Sequence, residues 1–119
     1  GRGPGIFLKA DGSLATVTNP ARPGSVVSFY ATGLGPLDPP VETGQPGAAT
    51  EPLNRTVLTP SVRFDMYDAE VLYSGLAPGF AGLYQVNVRV PARVPAATNI
   101  PVTLMIGGVA SNRVTIPVQ

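Results

Sequence analysis

The sequence predicts an all-β fold, an immunoglobulin-like Greek-key β-sandwich of about seven to nine short strands. Three observations carry this reading. First, Tyr84, Val86, Val88 and Val90 alternate with Gln85, Asn87 and Arg89, the period-two pattern of a strand with one face in a core. Second, Leu76-Ala77-Pro78-Gly79 places turn residues just ahead of the Tyr that opens that strand. That order matches a tyrosine corner, in which the ring packs inward and the hydroxyl bonds back to the corner backbone. Leu76, Pro78, Gly79 and Tyr84 are therefore the predicted structural corner. Third, helical periodicity free of Pro and Gly is missing, while turn signals recur along the chain.

The elements follow in order. Gly1–Gly5 reads as a linker or junction. Ile6–Lys9 is a short apolar strand, Asp11-Gly12 a hairpin signal, and Leu14–Val17 its return. After Asn19-Pro20 and Pro23-Gly24, Ser25–Thr32 carries apolar residues on both faces, as a central strand does. Residues 33–60 form a long loop rich in Pro and Gly, tacked down by Leu53, Val57 and Leu58; long loops in compact domains are functional or mobile. Ser61–Met66 alternates with Val62, Phe64 and Met66 inward, and a turn near Tyr67-Asp68 leads into a strand over Ala69–Ser74. Pro91–Thr98 connects to a strand whose inner face is Val102, Leu104 and Ile106, and Gly107-Gly108 turns it. Val114, Ile116 and Val118 close a single domain spanning 1–119. Pro117 cannot donate to a ladder, which predicts an edge strand or an outward position there.

Composition narrows the function. There is no Cys and no His, which removes disulfides, thiolate chemistry, the usual metal ligand and the Ser-His-Asp triad. Eight basic residues against seven acidic ones leave a net charge of +1, too little for a nucleic-acid surface. No run approaches the roughly 20 apolar residues of a membrane span. Fourteen Gly and fourteen Pro could signal disorder, but 44% hydrophobic residues and the alternation assign them to turns between strands. No start Met, signal peptide or lipidation motif is present, which suggests a mature fragment or one unit of a longer product.

The motifs Pro-Gly-Ile-Phe (4–7), Asp-Gly-Ser (11–13), Asn-Pro-Ala-x-Pro-Gly-Ser-Val-Val-Ser (19–28) and Ala-Thr-Gly-Leu-Gly-Pro (31–36) occur in a fixed order. Val71–Pro91 and Val102–Asn112 complete the series. Together they resemble the Solibacter-type uncharacterised C-terminal domain family, which recurs in large secreted proteins of acidobacteria and related bacteria. The resemblance covers nearly the whole chain. It implies an extracellular Ig-like module and brings no catalytic residues. The usual Gly-Gly-x-x-Ala before the Val-Leu-Tyr strand is replaced here by Asp65-Met66-Tyr67-Asp68-Ala69.

Several side chains were weighed as sites. Asp65, Asp68 and Glu70 carry oxygen ligands suited to calcium but lack EF-hand spacing, and read better as a soluble hairpin tip. Asp38, Glu42 and Glu51 are spread through the long loop without the positioning that paired glycosidase carboxylates need. Lys9, the only lysine, with Asn112 or Asn87 could form an isopeptide bond only if buried. Asn54-Arg55-Thr56 matches a glycosylation acceptor. Tyr30, Tyr67, Tyr73 and Phe80 could form a sugar-stacking platform, or pack in core and edges. Ser25, Ser28, Ser74 and Ser111 have no base partner.

No catalytic residue, cofactor or metal is assigned. The expected role is a non-enzymatic, secreted or cell-surface structural module, self-assembling or tandemly repeated in a fibre, tube or large secreted protein. The apolar trio Ile6, Phe7 and Leu8 is the expected assembly segment, pairing with copies of the chain or neighbouring repeats, and the strand edge near Pro117 its acceptor. The alternative is an adhesin or carbohydrate-binding module, with glycans as partners.

Overall fold

The computed structural model describes residues 7–16, 18–31, 36–41, 44–49, 53–79, 83–107, 109–110 and 114–119. All regular structure among them is β: β1 (Phe7–Lys9), β2 (Val26–Ala31), β3 (Leu37–Asp38), β4 (Arg55–Thr56), β5 (Ser61–Phe64), β6 (Tyr67–Leu76), β7 (Tyr84–Arg89), β8 (Ala97–Ile106), β9 (Val109–Ala110) and β10 (Val114–Val118). The main ladder runs β1-β2-β7-β6-β5-β8-β10, with β3 on β4, β4 on β6 and β9 on β8 beside that path. All these pairings are antiparallel.

The ladder folds over at β6. Tyr67–Ala69 pair with β5, whereas Glu70–Leu76 pair with β7. A bulge makes the change of sheet possible: Val71 faces Val88 and Tyr73 faces Asn87, leaving Leu72 as the extra residue. The two inner faces then meet in one core. Phe7, Val27, Val86 and Val88 come from one side, and Val62, Phe64, Val102, Leu104 and Ile116 from the other. Burying each such side chain stabilises by about 1.5–3 kcal/mol before chain entropy is counted.

The alternation of β7 holds residue by residue. Val86, Val88 and Val90 are fully buried, Gln85 and Asn87 are half-buried and bonded to each other at 2.8 Å, and Arg89 is exposed. β2 lies inside the ladder, between β1 and β7. The return of the first hairpin is shorter than expected: Leu14 bridges Leu8 and Thr16 bridges Asn19, without a continuous strand.

Two expected positions are corrected. Met66 is 70% exposed rather than inward, because β5 stops at Phe64 and the hairpin turns at Asp65-Met66 instead of Tyr67-Asp68. Asp65 takes the positive φ of 59° that the first position of a II′-like turn needs. Pro117 is buried rather than outward, although β10 does end the ladder. It sits where the β10 register shifts against β8. Beside it Ala21 donates its N–H to the Pro117 carbonyl at 3.0 Å and accepts from the Gln119 N–H at 2.8 Å. That contact occupies the edge expected to accept another chain.

Candidate functional site

Hydrogen bonds outside the sheet ladders brace three places: the corner after β6, the β1 segment, and the loop between β1 and β2. At the corner, Gly79 turns with φ of 82° and donates to the Gly47 carbonyl at 3.0 Å, while Pro78 bridges Gly47. Ala77 donates to Leu83 at 2.7 Å, and buried Leu76 donates to the Asn54 carbonyl at 2.9 Å. The hydroxyl-to-backbone bond described here comes from Tyr73, which donates to the Leu76 carbonyl at 2.7 Å. Tyr84 pairs with Leu76 and Ala31, and its half-buried ring packs against the core. Tyr73 thus adds a second tyrosine at the corner, beside Tyr84, which was expected there from the strand order.

Segment 33–60 is anchored there wherever it is described. Asn54 is 6% exposed; its Oδ1 accepts the Ala48 N–H at 2.8 Å and its Nδ2 donates to the Pro39 carbonyl at 2.7 Å. β4 pairs with both β3 and Gly75, and Thr56 donates to the Ser74 hydroxyl at 2.9 Å. Val57 and Leu58, expected to tack the loop down, are exposed instead. A buried asparagine does that work, because its amide can hold a donor and an acceptor from two stretches at once. The same burial leaves the Asn54 amide no room for a glycan.

On β1, Phe7 is 1% exposed and tilts at 59° against Phe29, with ring centroids 5.3 Å apart. Leu8 is half-buried, and Ile6 lies outside the described residues. Among the described residues three register pairs join β1 to β2: Phe7 with Phe29, Leu8 with Ser28 and Lys9 with Val27. The other side of β1 is covered by its own hairpin, through Lys9 N–H to Ser13 and Ala15 N–H to Phe7.

In the loop that follows, Lys9 Nζ donates to Asn19 Oδ1 at 2.8 Å. Asn19 Nδ2 donates to Ser13 Oγ and to the Leu14 carbonyl, each at 2.9 Å. Ser13 in turn donates both its hydroxyl and its N–H to Asp11 Oδ1. The Ser13 hydroxyl first, and then its backbone N–H, hold the Asp11 carboxyl below its usual range. An open cleft of about 480 Å³ lies beside this chain of bonds, lined by Lys9, Thr18, Asn19, Pro20, Arg22 and Gln119.

Compared with known proteins, the chain matches no protein-family model, no curated protein and no solved structure.

The remaining candidates are dispersed. Asp68 pairs with Arg63 at 2.9 Å and Glu70 with Arg89 at 3.2 Å, and all four side chains are largely exposed. Among the described residues no group of three or more His, Cys, Asp or Glu gathers as a metal site. Asp38 is exposed on β3, while Glu42, Glu51, Phe80, Ser111 and Asn112 lie outside the described residues. The tyrosines do not share a platform. Tyr30 faces Gln85, whose other neighbour is Gly75, and Tyr67 lies eight positions from Gly75 along β6, roughly 25 Å of strand. The face of Tyr73 is covered by Arg55, 5.5 Å from its ring centroid. Asn54, Tyr73, Asn19 and Arg22 were not singled out from sequence as working together. Asn54 carried only a glycosylation pattern and Asn19-Pro20 only a turn signal, because their partners lie elsewhere in the chain.

Proposed function

We propose that this chain is a non-enzymatic structural module of an extracellular assembly, joined to copies of itself or to neighbouring repeats by exchange of its first strand. One observation carries the reading. Phe7, among the largest fully buried side chains, is delivered by a strand of three residues. Much of the core at that site thus depends on a short segment with few ladder bonds. Such a segment can fill the same site on a neighbour, with Phe7 against the neighbour's Phe29 and Lys9 opposite its Val27. The acceptor is then the β2 edge that the neighbour's own β1 has left, not the edge beside Pro117. Head-to-tail exchange of this kind propagates as an open fibre unless rotation closes it. A net charge of +1 opposes close packing of many copies only weakly. The motifs shared with the Solibacter-type domain add support for a secreted or cell-surface setting and an Ig-like fold.

Light scattering and electron microscopy of the full chain test this, together with a variant lacking residues 1–9. Concentration-dependent oligomers are expected from the full chain and not from the variant. Adding a synthetic peptide of residues 1–12 should restore the variant's urea midpoint, which separates an empty strand site from general unfolding. A full chain that stays monomeric at millimolar concentration overturns the proposal.

A further inference from the structure

The cleft between β1 and the start of β2 has a chemistry of its own, and it is complete only where β1, which carries Lys9, is seated. Lys9 and Arg22 both line it, and among the described residues no acidic side chain does. Asp11 is the acid whose titration Lys9 influences, but its carboxylate is turned onto Ser13. The Lys9 ammonium is held in place without being neutralised. Its partner Asn19 is itself fixed by two donated bonds, and one contact to an amide oxygen leaves two of the three ammonium hydrogens free to donate. Among the described residues neither Lys9 nor Arg22 has an ion-pair partner, in contrast to Arg63 and Arg89.

We infer that this cleft binds the carboxylate of an acidic sugar. A carboxylate offers two oxygens to the facing cations, and charge-assisted bonds of this type are the stronger class. The Thr18 hydroxyl and the Asn19 and Gln119 side chains give the rim neutral donors and acceptors suited to ring hydroxyls. Two cations are too few for a nucleic acid, which needs many phosphate contacts. Among the described residues the lining has no aromatic side chain for base stacking and Pro20 as its one apolar residue, which also disfavours a lipid.

The test is a titration of the isotopically labelled full chain with galacturonate, galactose and inorganic sulfate, followed by amide chemical shifts. Galacturonate is expected to shift the signals of Lys9, Thr18, Asn19 and Arg22, and galactose to leave them unmoved. Arg22→Gln should weaken galacturonate binding about three- to tenfold, the range for one charge-assisted contact at an exposed site. Its urea midpoint should match that of the parent chain, because Arg22 engages Ser25 only through its backbone. Raising the salt concentration should weaken binding further. Absent shifts, shifts confined to another surface, or binding of sulfate without galacturonate would each overturn the inference.

Discussion

Two asparagines brace two loops, and they do so under opposite conditions. Asn54 is buried, and both ends of its amide are engaged by backbone, the Ala48 N–H and the Pro39 carbonyl. Asn19 is only partly buried and holds an ammonium, a hydroxyl and one carbonyl. Removing the first takes away a buried side chain and two bonds that join separate stretches of backbone, which is costly. Removing the second returns its partners to solvent, which is not. The buried brace is therefore structure alone. The exposed brace can hold a charge in readiness for a ligand at little cost to stability.

The sharpest break in this contrast is Gly75→Ala. A Cβ at that position would stand 2.2 Å from the Asn54 carbonyl oxygen, 2.6 Å from the Tyr73 hydroxyl and 2.8 Å from the Arg55 Cα. Two of those neighbours are backbone and cannot swing away. A loss of about 3 kcal/mol or more is expected, at the upper end for overpacking. The readout is the urea midpoint, and an unchanged midpoint would mean that β4 does not press on β6 as described.

Asn54→Ala comes next, at about 1–2 kcal/mol for removing a buried amide whose two bonds hold the Ala48 N–H and the Pro39 carbonyl. Amide exchange should quicken at Ala48, whose N–H the side chain accepts. If exchange there stays slow, another group satisfies it and the buried brace is not the anchor.

Tyr73→Phe removes the hydroxyl that donates to Leu76 while keeping the ring under Arg55. A loss of about 1 kcal/mol is expected for one such bond. Thermal unfolding of Tyr73→Phe beside Tyr84→Phe compares the two corner tyrosines; an unchanged midpoint for Tyr73→Phe would mean that its hydroxyl does not brace the corner.

Asn19→Ala should cost only about 0.5–1 kcal/mol, as expected for partly solvated bonds. Its larger effect should be on galacturonate affinity, because Lys9 loses the group that orients it. An equal loss of stability at Asn19 and Asn54 would erase the comparison between the two loops.

The smallest effect is a pH dependence. The folded Asp11 carboxyl lies below its ordinary value of 3.8 because Ser13 bonds its charged form. Its contribution is thus fully present above the unfolded pKa and fades as pH falls through the lower folded pKa. Asp11→Asn should lower stability slightly at neutral pH and converge with the parent chain in acid, which flattens the acid limb. A steeper acid limb in the variant would contradict that sign.

The alternation in β5, β7 and β8 was legible from residue order alone. Side chains on a strand change face at every step, so Val62 and Phe64, Val86 and Val88, and Val102 and Leu104 could be placed inward without knowing their partners. The absence of helix and the corner at Pro78-Gly79 were legible for the same reason, because propensity and turn geometry are local. The tertiary structure decided what local pattern cannot express. Met66 continues the β5 alternation, yet it is exposed because the hairpin turns two residues earlier than expected, at Asp65-Met66. Leu72 continues β6, yet its bulge lets one strand serve two sheets. Asn54 and Asn19 are both polar residues next to turns in the sequence. Their different roles depend on which distant backbone groups and charges the closed fold brings within hydrogen-bond reach, and on whether water can reach them too.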